Sequence, residues 1–123
     1  MVGRSLVLIV DDDLSVRESL PDLLRELGYA AKAFPSAEEF LASNCVDRTA
    51  CLILDVAMPG MSGPDLHQEL RLRGHEIPVI FMSGQRDEAI RLRAFEQGAV
   101  AFLFKPFGDA ALADALQAAL KMA

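Results

Sequence analysis

The sequence predicts an α/β fold, a single (βα)5 doubly wound sheet of five parallel strands in the order 2-1-3-4-5. Short apolar segments alternate five times with longer amphipathic segments, which is typical of repeated strand–helix units. The short segments are apolar throughout rather than at every second residue, as expected for parallel strands covered on both faces. Right-handed crossovers then produce an open doubly wound sheet, for which this strand order is the natural choice.

The first strand–helix unit is the clearest. The apolar run Leu6–Val10 has the length of a strand and is ended by three aspartates. Apolar residues then recur at helical spacing from Leu14 until Gly28, which ends the pattern. Asp13 precedes this helix as its expected N-cap, and Pro21 lies inside it, where we expect a kink or the loss of one hydrogen bond.

Four further units follow the same alternation. We predict strands at 30–34, 51–54, 79–82 and 100–104, and helices at 37–42, 64–74, 87–96 and 109–121. Ser36 is expected to cap the second helix, with Glu39 as its capping-box partner, and Pro78 introduces the fourth strand. An apolar stripe over 112–120 indicates the face that the last helix buries.

Length, charge and cysteine content limit the class of protein. A chain of 123 residues has the size of one domain, so we assign 1–123 to a single unit. The net charge of −6 argues against direct contact with nucleic acid by this segment, because phosphates attract a surplus of Lys and Arg. Cys45 and Cys51 are too few for a disulfide scaffold, and we expect both to be buried free thiols.

The start of the chain carries no predicted targeting or membrane segment. Its apolar run of five residues is too short for a signal peptide or a membrane span. Together with the two free thiols, this predicts a cytoplasmic protein that makes no membrane contact.

Polar residues follow the four strands that are adjacent in the predicted sheet. The carboxyl ends of parallel strands lie at one edge of the sheet, where ligands bind near the point at which strand order reverses. Strand 2, at the sheet edge, has only the apolar residues Phe34 and Pro35 at its carboxyl end. The other strands leave Asp11, Asp12 and Asp13 after strand 1, Asp55 after strand 3, Ser83 after strand 4 and Lys105 after strand 5.

This cluster has the composition of a phosphoryl-transfer site. Carboxylates held close together repel one another, so at neutral pH they must take up protons or bind a cation. Oxygen ligands without His or Cys favour Mg²⁺ or a similar ion over zinc. Asp55 would then act as a carboxylate nucleophile and form an aspartyl phosphate. Lys105 and the Ser83 hydroxyl would bind the phosphoryl oxygens.

Each of these residues also has a purely structural interpretation. Asp11 would end a strand, Asp13 would cap a helix, and the cap is the favoured role for Asp13. Asp55 would cap a turn, Ser83 would belong to an ordinary loop, and Lys105 would be a surface lysine. A structural origin for all of them requires four coincidences at one end of one sheet.

Other motifs are weaker. The segment 60–64 resembles a nucleophile elbow, but Pro64 stands where the last glycine is needed. No glycine-rich phosphate loop is present. His67 and His75 lie on or after the third helix, away from the strand ends, and we expect both to be solvated.

Four segments, in this order and spacing, resemble the response-regulator receiver family of two-component signalling over essentially the whole chain. They are 7–13, 54–63, 82–84 and 102–107. The resemblance implies a flavodoxin-like fold with Asp55 as phosphoacceptor. It also implies that Asp11 and Asp12 form an acid pair for Mg²⁺, with Asp12 as a direct ligand beside Asp55 and the backbone carbonyl of Ala57.

The same resemblance assigns the remaining site residues. Ser83 would be the switch hydroxyl, Lys105 the phosphate-binding lysine and Phe102 the aromatic switch, and the bond between Lys105 and Pro106 would be cis. A sensor histidine kinase or a phosphotransfer protein would donate the phosphoryl group from a phosphohistidine. Phosphorylation would change the surface of helix 4, strand 5 and helix 5, which controls an output domain or partner and allows a homodimer.

Two positions beside the site, Ala57 and Gln85, tune the attack of water on the aspartyl phosphate in this family. Because Ala57 cannot hydrogen-bond that water, we expect a persistent phosphorylated state.

Two other functions remain to be weighed. A Mg²⁺-dependent phosphohydrolase with an aspartate nucleophile usually has a second Asp two residues after the first, where this chain has Ala57, and it needs a cap domain. A pseudo-receiver acting only by constitutive binding would have lost a catalytic position, and none is lost. We therefore expect that the protein is not an enzyme and catalyses only its own phosphorylation and dephosphorylation. Both a stand-alone receiver and one cut from a longer regulator fit the sequence.

Overall fold

The computed structural model describes residues 5–121 and has the predicted fold, a five-stranded parallel sheet in the order β2-β1-β3-β4-β5. The elements are β1 (Leu6–Val10), α1 (Leu14–Glu26), β2 (Ala30–Phe34), α2 (Ala37–Ala42), β3 (Cys51–Asp55), α3 (Gly63–Leu72), β4 (Val79–Ser83), α4 (Glu88–Glu96), β5 (Ala101–Phe104) and α5 (Asp109–Lys121). A short 3₁₀-helix, Val46–Arg48, was not predicted. The outermost residues of the proposed domain 1–123 lie outside the described residues.

The helix caps follow local sequence. The Asp13 side chain accepts a hydrogen bond from the Ser15 N–H and so caps α1, within which Pro21 is buried. Ser36 accepts from the Glu39 N–H, whereas the Glu39 carboxylate accepts from the Ser36 hydroxyl at 3.5 Å rather than from the backbone N–H of the cap. The predicted capping box of α2 is therefore only half formed.

Two apolar layers hold the sheet. One face packs against α2, α3 and α4, and the other packs against α1 and α5. The central strands β1, β3 and β4 are buried along nearly their whole length because helices cover both faces. Each large apolar side chain buried in these layers contributes about 1.5–3 kcal/mol of hydrophobic free energy. The layers therefore give the strand ends a rigid support.

Cys45 and Cys51 are buried free thiols, as predicted, and burial raises the pKa of the Cys51 thiol to about 12. The prediction for His67 was wrong, because its residue is only 6% exposed. Its ring packs edge-on against Phe81 of β4, with ring centroids 5.8 Å apart. Leu72, at the end of α3, is 77% exposed and does not join the core. Over the described part of the chain, no helix has the length and apolar character needed to span a bilayer.

Candidate functional site

The strand ends converge on one cleft. Asp11 directly follows β1, Asp55 and Ser83 are the last residues of β3 and β4, and Lys105 directly follows β5. The parallel register aligns these ends along one edge of the sheet. The cleft has a volume of about 450 Å³. Its lining residues are Asp11, Asp12, Asp13, Asp55, Val56, Ala57, Ser83, Gly84, Gln85, Ile90 and Lys105.

Three carboxylates meet in this cleft. One carboxylate oxygen from each of Asp11, Asp12 and Asp55 lies within 4.8 Å of the others. Asp11 is fully buried and Asp55 is 7% exposed, whereas Asp12 is exposed to solvent. Such a set offers hard oxygen ligands and leaves one side open to water, which fits the preference of Mg²⁺ for a few carboxylates and several waters. The backbone of Ala57 also lines the cleft, and its role as a ligand stays a prediction.

Lys105 joins two of these carboxylates. Its Nζ donates to Oδ2 of Asp11 at 2.8 Å and lies 3.5 Å from Oδ1 of Asp55. Burial by itself lowers the pKa of Lys105, but the hydrogen bond to Asp11 and the charges of Asp55 and Asp11 outweigh burial and raise it. The ammonium therefore stays charged at neutral pH and partly compensates the acid cluster. The bond from Lys105 to Pro106 is cis, as the resemblance implied.

The surroundings of Asp55 disfavour the ionised form of its carboxyl group. Burial and the negative charge of Asp11 raise its pKa from 3.8 to about 6, although Lys105 opposes the shift. Asp55 is thus mostly ionised at pH 7. A further positive charge nearby would stabilise its carboxylate. A bound cation would relieve this repulsion.

Asp13 also lines the cleft, but its side chain is engaged in capping α1. Its Oδ1 accepts hydrogen bonds from both the N–H and the hydroxyl of Ser15, which lower the pKa of Asp13. Its own backbone N–H donates to Oδ1 of Asp11. Arg17 donates through Nη1 to the backbone carbonyl of Asp11 and ties the loop to α1. The structure thus gives Asp13 the capping role that the sequence favoured.

The two switch candidates lie on β4 and β5. The Ser83 hydroxyl donates to the carbonyl of Gln85 and accepts from its N–H, each at 3.1 Å, so its bonds stay within its own loop. Phe102 is half-buried beside Phe81, its partner in the register of β4 and β5, and lies edge-on to Phe104. Ser83 thus ends a buried strand beside Asp55, and Phe102 sits on the neighbouring strand.

Comparison with known proteins assigns the chain to a family. The family model described as the response regulator receiver domain matches residues 7–117. This chain belongs to that receiver family. Phosphorylation-based signalling in two-component systems is the standard function of receiver domains, and the family binds Mg²⁺ at an acidic pocket. They are signalling domains rather than classical enzymes.

Two curated relatives are similar to nearly the whole of this chain. Nodulation protein W of Bradyrhizobium diazoefficiens is 47% identical over 116 residues, which cover 94% of this chain and 51% of that protein. Response regulator protein TodT of Pseudomonas putida is 46% identical over 121 residues, which cover 97% of this chain and 52% of TodT. The receiver chain therefore spans about half the length of the curated relatives it matches.

Solved structures show the same fold. The crystal structure of FixJ-N superposes with a TM-score of 0.88 at 35% identity, covering 99% of this chain and 98% of FixJ-N. The low-resolution structure of response regulator StyR superposes with a TM-score of 0.88 at 40% identity, covering 98% of this chain and 61% of StyR. The receiver fold of this chain is therefore that of known response regulators.

One contact that supports the receiver site was not predicted. Glu38, in the first turn of α2, accepts a hydrogen bond through Oε2 from the backbone N–H of Met61 at 3.0 Å. Met61 lies in the loop between Asp55 and α3, and Gly60 beside it has φ of 74°, where glycine is preferred. A side chain on Gly60 would also place its Cβ 2.8 Å from Oε2 of Glu38. Glu38 thus anchors the loop that follows Asp55.

Replacing Glu38 with Ala is expected to loosen this loop. The lost hydrogen bond should reduce the free energy of unfolding by about 1 kcal/mol and speed amide exchange at Met61 about fivefold. Hydrogen exchange followed by NMR measures the effect. Glu38→Gln keeps an acceptor oxygen and serves as the control, so it should retain most of the protection. Equal exchange rates at Met61 in wild type and Glu38→Ala would contradict the anchoring role.

Proposed function

We propose that this chain is the phosphorylation-activated receiver of a two-component system and that Asp55 accepts the phosphoryl group. The donor is a phosphohistidine on a sensor histidine kinase or on a phosphotransfer protein. The observation that carries the proposal is the position of Lys105, whose Nζ lies 2.8 Å from Asp11 and 3.5 Å from Asp55 within the acid cluster. From this position Lys105 can reach both the proposed nucleophile and its acid neighbour, and with three donors it can bind a phosphoryl oxygen as well.

The transfer exchanges one bond to phosphorus for another. A carboxylate oxygen of Asp55 forms a bond to phosphorus as the phosphorus–nitrogen bond breaks, and the electron pair of that bond remains on the imidazole. Lys105 already lies beside Oδ1 of Asp55, so a small displacement would let it donate to a phosphoryl oxygen. Ser83 would exchange its bonds with Gln85 for a bond to another phosphoryl oxygen.

A divalent cation completes this site. Asp11, Asp12, Asp55 and the backbone carbonyl of Ala57 would hold Mg²⁺, which when bound neutralises charge on the phosphoryl oxygens. Asp11 is held in place by the N–H of Asp13 and by Lys105. Asp12 is exposed and is the most accessible of the three carboxylates.

The output follows from movement of Ser83. As its hydroxyl turns toward the phosphoryl group, Phe102 moves inward beside Phe81, and the surface formed by α4, β5 and α5 changes. Phosphorylation thus shifts the population between two packings rather than creating a new one. This surface would control an output domain or a partner protein, or form a homodimer, while the receiver itself occupies residues 1–123.

Phosphorylation by a small donor tests the proposal. The chain is incubated with acetyl phosphate or phosphoramidate, with and without Mg²⁺, and examined by intact mass spectrometry. We expect one added phosphoryl group only with Mg²⁺, and peptide mapping should place it on the peptide that contains Asp55. No adduct, or an adduct on another peptide, would overturn the proposal. Steady hydrolysis of many phosphate esters would instead indicate a phosphohydrolase.

The phosphorylated state should persist. Ala57 lines the cleft but has no side-chain group that can orient a water for attack on the aspartyl phosphate. After the donor is removed by rapid desalting, the adduct is therefore expected to decay over minutes or longer. Ala57→Asn, which supplies an amide at this position, should shorten the lifetime. Loss of the wild-type adduct within seconds would contradict the prediction.

A further inference from the structure

A groove at the opposite end of the sheet carries polar groups that phosphoryl transfer does not use. Two adjoining clefts of about 480 and 380 Å³ share His67 and Arg71 of α3. The larger cleft is also lined by Gln68, Leu72 and Gln97, the residue that follows α4. The smaller cleft is also lined by residues just before β4 and β5, which are Glu76, Ile77, Pro78, Gly98 and Val100. The groove is therefore remote from the carboxyl ends of the strands.

His67 is a buried polar side chain that opens onto this groove. The residue is only 6% exposed, yet its ring makes no hydrogen bond to any residue in 5–121. Over the same residues, no fully buried side-chain nitrogen lacks a partner, so both ring nitrogens keep some contact with solvent, and His67 lines both clefts. The edge-on contact with Phe81 holds the ring in this position. The ring thus has an N–H and a lone pair without a protein partner among residues 5–121, at the border of the groove.

Arg71 lies one turn further along the same face of α3. Its Nη1 donates to the backbone carbonyl of Gln97 at 2.6 Å, which holds the guanidinium against the end of α4. No ion pair to Arg71 is formed by the carboxylates of the described chain. The edge of the guanidinium formed by Nε and Nη2 is therefore available, and this planar fork matches the two oxygens of a carboxylate or phosphate.

We propose that His67 and Arg71 form a binding site for a small oxyanion, a carboxylate or a phosphate group. The two side chains supply convergent donors from one helix face, and the amides of Gln68 and Gln97 line the same cleft. Among the described residues, no acidic side chain lines the larger cleft, although the whole chain carries a net charge of −6. Glu76 borders only the smaller cleft. The anion would bridge α3 and the end of α4.

Titration followed by NMR tests the site directly. Isotope-labelled wild type is titrated with inorganic phosphate and, separately, with succinate, without Mg²⁺ and at constant ionic strength. We expect saturable shifts of the His67 ring signals and the Gly98 amide, with a dissociation constant on the order of 1 mM. Saturation by phosphate alone, by succinate alone or by both supports the site and identifies the group that it prefers.

Two variants and a control decide whether the named residues are responsible. Arg71→Gln should weaken binding about tenfold, which corresponds to one charge-assisted contact. Arg73→Gln removes an exposed arginine on the same helix end, paired with Glu69, and should bind as wild type does. His67→Phe, followed at Gly98, provides a second test if Arg71→Gln does not fold. Shifts that remain linear up to about 50 mM for both anions, or unchanged affinity in the variants, would overturn the proposal.

Discussion

Asp55→Asn is expected to abolish the phosphoryl adduct and, at the same time, to stabilise the protein. The adduct is lost because the amide of Asn, unlike a carboxylate, does not act as a nucleophile toward phosphorus. The stability rises because the ionised Asp55 is buried beside Asp11, which raises its pKa from 3.8 to about 6. A charge that is less favourable in the folded than in the unfolded state reduces stability, and the neutral amide removes that cost.

The pH dependence of this gain has a definite sign. Above about pH 6, Asp55 is ionised in both states and the cost is fully present, so the variant should be more stable by about 1–3 kcal/mol without Mg²⁺. As the pH falls from about 6 to about 4, the folded wild type takes up the proton first and the difference shrinks. Near pH 4 the two proteins should unfold at similar denaturant concentrations.

Denaturant unfolding at several pH values measures this effect. Asp114→Asn, at an exposed position of α5, is the control for the loss of one negative charge and should show no such pH-dependent gain. Mg²⁺ should stabilise wild type more than Asp55→Asn, because the proposed ion site exists only in the folded state and the variant lacks one of its carboxylates. An Asp55→Asn variant that is less stable than wild type at pH 7.5 without Mg²⁺ would contradict the assigned burial and repulsion.

Gly63→Ala is expected to be the most destabilising small substitution near the site. Gly63 is the first residue of α3, and an added Cβ would lie within 3.2 Å of Cε1 of Phe81 and much closer to the backbone carbonyl oxygen of Asp55. The helix propensity of alanine would contribute about 1 kcal/mol in its favour. The clash with backbone outweighs this gain, and we expect a net loss of about 3 kcal/mol.

Chemical denaturation and the phosphodonor assay test this substitution together. Since the chain must shift the end of β3 to admit the methyl group, the yield of adduct at Asp55 should fall along with stability. Gly108→Ala is the matched control, because Gly108 does not line the cleft and a Cβ there meets no atom within 4 Å. That control should stay within about 0.5 kcal/mol of wild type. Wild-type stability in Gly63→Ala would show that the close approach is not tight in solution.

The strand-end residues of the site were predictable because the topology of the sheet follows from the pattern of apolar residues in the sequence. Continuous apolar runs between helical segments specify a parallel doubly wound sheet, and in such a sheet all strands end at one edge. The positions of Asp55, Ser83 and Lys105 along the chain therefore determined that they would meet. Their proximity in the structure depends on no long-range detail beyond strand order and register.

The directions of other polar side chains depend on how helices, strands and loops pack together. The pattern of apolar residues does not specify that packing. Asp11, Asp12 and Asp13 are chemically identical neighbours, and the sequence favoured a cap role only for Asp13. The turn after β1 directs Asp11 to the core, Asp12 to solvent and Asp13 to the start of α1. Glu38 looks like an ordinary acid in a first helical turn, since its partner Met61 lies 23 residues away.

The burial of His67 shows the same limit most clearly. Helical spacing places Leu66 and Leu70 on the buried face, but how wide that face is depends on the rotation of α3 over β4 and on the approach of α4. The ring of Phe81 and the end of α4 then enclose a side chain that polarity alone assigns to solvent. Sequence by itself determined the fold and the residues at the strand ends. The tertiary structure decided which neighbouring polar groups are buried, because burial depends on contacts between elements distant in the chain.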